Sequence, residues 1–456
     1  MPTPSFEGMP LEILFRIALG TIDCHTALVS LPLVSKQAYI ALIANLYTKV
    51  SENALATLAQ PSSASQQIMR CRHPAYYVEH IDISADIANE TFLSYFVDAF
   101  NNVSRYAKKK TSFTFGAFYL FDLNPVSTTT KLEYSHFESV SLCCSRPPVF
   151  GVDLFSALMT SFSSERLKHL ILDFHMVSVP VNFPTAVKAL LHIQPCCSAL
   201  QTLHLTYDAL RQGSSASVQD LFNLTSFLFP HLEDFYVSDC HGDLDISNFL
   251  VRHPKIKRLG YIPGCTVDVS SFLKDRHVVP ELESLSGCGF VITTIVAYAP
   301  RPLTSITITD WSPDAINVMR LREGLARTPT LREFSLLLDD WFTAQHLRQF
   351  QSMFNNLRLF ECNLLINTIS PDEMAIYSFY QVCTDISPSL SLLTVRTFCL
   401  KTDLLLNLHC HAIETAWTGR SLSTALHTMV LCRRAKDVLV QVYLPASSAL
   451  GMHTNT

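Results

Sequence analysis

The residues able to do chemistry are thinly spread and seldom clustered. The densest ligand-type group is His409-Cys410-His411. On a helix His409 and His411 would face different ways; on a strand they would share a face, but no third ligand accompanies them. The 14 cysteines include no C-x-x-C pair. Cys143-Cys144 and Cys196-Cys197 are adjacent, a spacing poor for zinc or a disulfide, and read as small buried hydrophobes. Asp339-Asp340 is an adjacent acidic pair that strand or helix termini explain more simply than acid–base work does. No G-x-S-x-G elbow, no G-x-x-x-x-G-K-S/T loop and no H-E-x-x-H helix occurs. These residues predict a chain that is not an enzyme and holds no cofactor and no metal. Lys108-Lys109-Lys110 could touch acidic surfaces or act as a nuclear signal; a solvated loop is the simpler reading. The Asn-x-Ser/Thr patterns at Asn89, Asn102 and Asn223 matter only in a secreted protein.

Composition narrows the classes further. The chain has 456 residues, about three domains at ordinary domain sizes. Hydrophobic residues make up 48% and charged residues 16%, with a mean hydropathy of +0.22, so a large core can be buried and extensive disorder is excluded. The net charge of −5 lacks the basic excess of a general nucleic-acid binder. Only 13 glycines are present, which disfavours phosphate-cradling loops and many tight hairpins. Met1 to Gly20 carries Glu7, Glu12 and Arg16 and has no secretory pattern. The most apolar stretch, Ser284 to Pro300, falls short of the ~20 residues a spanning helix needs. The expectation is an intracellular protein, in cytoplasm or nucleus, that binds no membrane and no nucleic acid.

The elements begin with two helical segments. In the first, Pro10 suits the first helical position and Glu12 the first turn. Leu11, Leu14, Phe15 and Ala18 form one apolar face, with Ile13 and Ile17 on a second. A short helix with two apolar faces must bury both, one of them against a partner. After a polar break at Gly20 to His25, Pro32 can open a further helix with Val34, Ala38, Ala41 and Leu42 on one stripe.

These residues resemble the F-box, a three-helix module. The family's opening, Leu-Pro-x-Glu-Ile/Leu-Leu-x-x-Ile, stands here as Met9-Pro10-Leu11-Glu12-Ile13-Leu14 with Ile17. Its second half stands as Leu28, Leu31, Leu33-Val34-Ser35-Lys36 and Tyr39. Met9 replaces the usual leucine and Tyr39 the usual tryptophan; both keep an apolar body. The competing explanation is an ordinary helical hairpin that caps the domain behind it.

From Val78 onward one phrase recurs: apolar-x-x-apolar-x-apolar. Its copies start at Val78, Phe137, Leu167, Leu200, Leu232, Ile256, Leu303, Leu331, Leu357 and Leu390, with a weaker copy at Leu282 that has Gly287 in its third place. The spacings lie near leucine-rich-repeat lengths of roughly 20–29 residues, several being longer. The last two apolar residues share one side of a strand. Helical patterns run between the phrases, over Asp153–Phe162, Thr185–Ile193, Val218–Phe229, Pro313–Arg327, Ala344–Met353 and Asp372–Val382. Prolines such as Pro230, Pro254 and Pro280 stop the helices. Stacked strand-plus-helix units give parallel strands on a concave side and helices on a convex one. Between Asn102 and Phe137 the period fails, and Thr111 to Phe121 reads as a strand or strand pair. Leu404 to Arg434 reads as a helical cap.

The repeats are similar to the irregular leucine-rich repeats found behind F-boxes, particularly in fungal proteins. The asparagine or cysteine usual three places after the last leucine is met only by Cys240, so the repeats are expected to be uneven. A doubly wound α/β sheet is the rival fold. The predicted fold is thus α/β: an F-box over residues 1–50, an irregular leucine-rich-repeat solenoid with parallel strands over 51–445, and a tail over 446–456.

The resemblance implies a substrate-recognition adaptor of a Skp–cullin–F-box ubiquitin ligase. Its partners would be the Skp adaptor subunit, through it a cullin, and an unknown protein target. Pro10, Leu11, Ile13, Leu14, Ile17, Leu31, Val34 and Tyr39 are the candidates for Skp binding, some of which could instead hold the module's own core. The target would meet outward residues of the strand phrases: His204, Tyr236, Ser238, Thr307, Thr309, Glu361, Asn363 and Arg396. This mixture suits a neutral, hydrogen-bonding partner more than a phosphorylated one, which needs clustered arginine. The alternative is a leucine-rich-repeat binding scaffold whose N-terminal helices merely cap the repeats.

Overall fold

The computed structural model describes residues 43–44, 46–61, 72–85, 90–117, 132–133, 135–144, 158–174, 190–207, 221–239, 245–263, 274–298, 301–310, 315–338, 361–366, 392–397 and 437–442. The two helical segments expected before Leu42, the expected helices over Ala344–Met353 and Asp372–Val382, the cap over Leu404–Arg434 and the tail lie outside the described residues. The chain divides into two compact units, Met1–Phe249 and Leu250–Thr456.

In the first unit seven strands pair in parallel and in chain order: β1 (Lys49–Val50), β2 (His80–Ala85), β3 (Ser112–Ala117), β4 (Ser139–Cys144), β5 (His169–Phe174), β6 (Thr202–Tyr207) and β7 (Asp234–Asp239). Chain order without reversal is the pairing of stacked repeats, and it excludes the doubly wound alternative, which needs a switch point. The register follows the phrase. Ile81, Phe113, Val140, Leu170, Leu203 and Phe235 stand opposite one another along the unit, and all are buried. Each such side chain contributes roughly 1.5–3 kcal/mol on burial. The leading residues Val78, Phe137, Leu167, Leu200 and Leu232 are buried as well.

β3 corrects the expectation of a lapsed period. A repeat is present there, with a strand over Ser112–Ala117, but its leading apolar residue is replaced by Lys110, three places before Phe113. The connection before β3 also contains a helix that the phrase pattern does not mark. After a short helix α1 (Leu55–Leu58), helix α2 spans Glu90–Tyr106. Its Phe96, Phe100 and Val103 form one buried stripe at helical spacing. Phe96 packs 5.5 Å from Phe115 and Phe100 5.7 Å from Phe113, ring centre to ring centre. The buried Asn102 donates from Nδ2 to the Leu58 carbonyl at 2.8 Å, satisfying an acceptor that the end of α1 leaves open. A second aromatic cluster, Phe222, Phe227, Phe235 and Phe249, packs at β7, with Phe235 and Phe249 centred 4.5 Å apart.

The residue before each strand is tied to its neighbour by the backbone: Glu138 N–H to the Lys110 carbonyl, Lys168 N–H to Glu138, Gln201 N–H to Lys168 and Glu233 N–H to Gln201. Opposite charges meet beside this row. Lys109 Nζ lies 2.8 Å from Glu79 and Lys168 Nζ 3.2 Å from Glu138.

The second unit repeats the plan. β8 (Arg258–Pro263), β9 (Ser284–Cys288), β10 (Ser305–Asp310), β11 (Glu333–Leu338), β12 (Glu361–Ile366), β13 (Leu392–Thr397) and β14 (Asp437–Val442) pair in parallel and in chain order. β14 carries a weak copy of the phrase in addition to those expected, Ala435-Lys436-Asp437-Val438-Leu439-Val440, with Val438 and Val440 opposite Leu393 and Val395. Helix α3 (Ser247–Arg252) straddles the division between the units. The apolar stretch Ser284 to Pro300 becomes β9 followed at once by helix α4 (Gly289–Tyr298), buried from Val291 to Val296 on all sides; a helix apolar all round is a core helix. Helix α5 (Ala315–Ala326) packs beside it. Among the described residues no helix is long and apolar enough to cross a membrane.

Candidate functional site

The strand face opposite the apolar rungs is polar. Period-two alternation gives it three rows in the first unit, one more than the two outward positions expected from each phrase. The additional row is the residue just before the middle apolar position: His80, Ser112, Ser139, His169, Thr202 and Asp234, which stand in register. The same alternation, extended one step back, marks them in the sequence.

These side chains bond across strands. His80 Nδ1 lies 2.9 Å from Ser112 Oγ, and His169 Nδ1 lies 2.9 Å from Thr202 Oγ1. His204 sits in the middle row, opposite Tyr236. Its Nε2 is 3.1 Å from Asp234 Oδ1, with 31% and 19% of the two side chains exposed. Its ring centre is 5.5 Å from that of Tyr236. Asp234 thus orients an imidazole that stays accessible beside a phenol ring, which makes a rigid, hydrogen-bonding spot on β6 and β7. Ser238 follows on the same face but is only 5% exposed, so it offers little surface.

The candidates in the second unit fall on three strands. Thr307 is half-buried between Ser286 and Ser335 in register. Thr309 is half-buried, and its Oγ1 has no hydrogen-bond partner among the described residues. Glu361 and Asn363 stand on β12, opposite Leu392 and Thr394 of β13. Arg396 stands on β13 between Leu365 and Gln441. His204, Tyr236 and Ser238 are therefore brought together in one unit, while Thr307, Thr309, Glu361, Asn363 and Arg396 spread over β10, β12 and β13 of the other. Pro10, Leu11, Ile13, Leu14, Ile17, Leu31, Val34 and Tyr39 lie outside the described residues.

A thiol–carboxylate contact lies on this face. Cys143 Sγ donates to Asp173 Oδ2 at 3.8 Å. Burial, and then the Asp173 charge, push this thiol above its ordinary value, which disfavours the nucleophilic thiolate. Among the described residues no group of three His, Cys, Asp or Glu side chains is placed to hold a metal ion.

No protein-family model matches the chain, and no curated protein matches it. The solved structures that are similar at a distance include the following two. The leucine-rich repeat-containing protein LegL7 from Legionella pneumophila is 12% identical, over 75% of this chain and 98% of that one, with a TM-score of 0.39. A chain of the Rad7 and Elc1 complex in yeast is 11% identical, over 86% of this chain and 89% of that one, with a TM-score of 0.41. The repeat architecture rests on the strand pairing described above, not on these likenesses.

Proposed function

We propose that the chain is the substrate-recognition adaptor of a Skp–cullin–F-box ubiquitin ligase. Its N-terminal helices bind the Skp subunit and its strand repeats bind a protein target. The observation that carries this reading is the order of parts: a segment resembling the F-box, Met9 to Tyr39, precedes stacked parallel repeats whose open face is a hydrogen-bonding surface. Such an adaptor does no bond chemistry. It raises the effective concentration of a target lysine near a charged conjugating enzyme by holding both ends.

A pull-down of the full chain with the Skp subunit tests the first half, against a Leu11→Asp, Leu14→Asp double variant. Charge placed in an apolar docking face abolishes binding, while circular dichroism shows that the variant still folds. A folded wild type that fails to bind Skp would instead favour the scaffold reading, in which the N-terminal helices cap the repeats.

A further inference from the structure

Lys110 occupies a place that is apolar and buried in the neighbouring repeats, where Val78, Phe137, Leu167, Leu200 and Leu232 stand. A lysine there must bury part of its stem and bring its ammonium to the surface. Nζ finds one acceptor, the Ser104 carbonyl at 2.8 Å. Two more basic side chains come from the turns before the next two strands: His136, three residues before β4, and Arg166, three residues before β5. Both are exposed. Among the described residues no carboxylate pairs with Lys110, His136 or Arg166, although Lys109 and Lys168 beside them are paired with Glu79 and Glu138. Lys110 and Arg166 repel one another, and both disfavour a proton on His136. Burial and the Arg166 charge hold the Lys110 ammonium below its ordinary value, and burial, Lys110 and Arg166 do the same to His136.

The same neighbourhood holds hydroxyls without partners. Ser104 Oγ, Thr111 Oγ1 and Ser135 Oγ are buried atoms with no hydrogen bond among the described residues. Ser104 supplies the carbonyl that Lys110 meets, Thr111 follows Lys110 and Ser135 precedes His136. Ser135 is wholly buried, and an orphaned buried hydroxyl is costly unless something completes it.

We propose that Lys110, His136 and Arg166 form an anion-binding site, which takes a carboxylate or phosphate group on a side chain of a protein partner. The site lies at the leading ends of β3–β5, apart from the His204–Asp234 spot, and the proposal does not rest on the ubiquitin-ligase reading. A protein side chain fits better than a nucleic-acid backbone. Glu79 and Glu138 neutralise the adjoining Lys109 and Lys168, so the unpaired positive charge is confined to a small spot that suits one anionic group and not a continuous run of phosphates.

The test is fluorescence anisotropy with the full chain and three labelled probes: a Glu-containing peptide, the same peptide with phosphoserine in place of Glu, and single-stranded DNA. The wild type is expected to bind at least one peptide, weakening as salt shortens the screening length from about 10 Å at 0.1 M to about 3 Å at 1 M. The triple variant Lys110→Gln, His136→Gln, Arg166→Gln is expected to lose on the order of tenfold in affinity. The control Lys255→Gln, Arg276→Gln, Arg320→Gln, which removes exposed cations of the other unit, keeps wild-type affinity. The two peptides distinguish a carboxylate from a phosphate ligand. If circular dichroism shows that the triple variant misfolds, the His136→Gln, Arg166→Gln variant of the two exposed residues replaces it. The proposal is overturned if the wild type binds neither peptide, if the control loses as much as the site variant, or if DNA binds more tightly than both peptides.

Discussion

Gly287 of β9 lies so close to the Tyr261 carbonyl of β8 that a Cβ added at Gly287 would overlap the oxygen. The two residues are register partners, and Tyr261 is among the largest fully buried side chains of the chain. The weak third place in the Leu282 phrase therefore has a physical cause. A large residue on one strand and none on the next fill the layer together, with the backbones drawn near.

Restoring the repeat pattern with Gly287→Leu is accordingly expected to destabilise the second unit. Gly287→Ala already does so by about 1–3 kcal/mol, the usual cost of overpacking. Urea midpoints of the two variants measure this. Tyr261→Leu in the Gly287→Ala background brings no rescue, because the clash is with backbone rather than with the tyrosine ring.

A second close approach sets the spacing of α4 and α5. A Cβ at Gly324 would sit 2.6 Å from Val296 Cγ1 and 2.8 Å from the Val296 carbonyl carbon. Gly324→Ala is expected to cost about 1–3 kcal/mol despite its better helix propensity. Val296→Ala returns only part of that, since the backbone contact remains. Thermal melts of the single and double variants give the comparison.

The strands were legible because one chemical alternation both buries a face and fixes the register. The phrases from Val78 to Leu390 became β2 and β4 through β13, but the one at Leu357 stands two residues out of step, since Cys362 and Leu364, not Phe360 and Cys362, stand opposite Phe334 and Leu336. Where the signal failed, a specific side chain stood in its way. Lys110 replaces an apolar lead and hid the β3 repeat, and Gly287 weakened β9. β1 is two residues long, too short to show a period. Of the polar face, His204 and Tyr236 were readable from alternation, but the carboxylate that orients the imidazole was not. Asp234 reaches His204 diagonally across two strands, and that contact depends on inter-strand register rather than on spacing along the chain.

Arg301 is buried and clamps a strained loop. It donates from Nη2 to the carbonyls of Val278, at 2.9 Å, and Asp275, at 3.0 Å. Val279 within that loop has φ of 46°, a left-handed conformation that a β-branched residue rarely adopts. Burial brings the guanidinium down to about 10, with Asp275 opposing. Arg301→Met is expected to lose about 3 kcal/mol, as bonds to a charged donor are removed and carbonyls are left buried. Arg301→Lys does not rescue, because a point charge cannot reproduce the fork. Chemical denaturation of both variants checks this.

Cys196 and Cys197 should differ sharply in reactivity. Cys196 is exposed and Cys197 buried, and burial pushes the Cys197 thiol up to about 11. Near pH 8 Cys197 is therefore almost wholly protonated, and the thiolate is the reactive form. Timed alkylation followed by peptide mass mapping is expected to label Cys196 first and to reach Cys197 only under denaturant. Equal rates in the folded protein would contradict the burial of Cys197.

His136 gives the first unit an acid-sensitive edge. Burial, Lys110 and Arg166 hold its folded value below the ordinary 6.5. The unfolded chain therefore takes up this proton more readily than the folded one. Stability from this group is intact above 6.5 and declines as pH falls through 6.5 toward the folded value, where the loss levels off. His136→Gln is expected to flatten the decline in urea midpoint between about pH 7.5 and about pH 5. Arg166→Gln flattens it partly, because burial and the Lys110 charge remain. A wild type and a His136→Gln variant with parallel profiles over that range would show that neither burial nor the charges of Lys110 and Arg166 disfavour the His136 proton in the folded state.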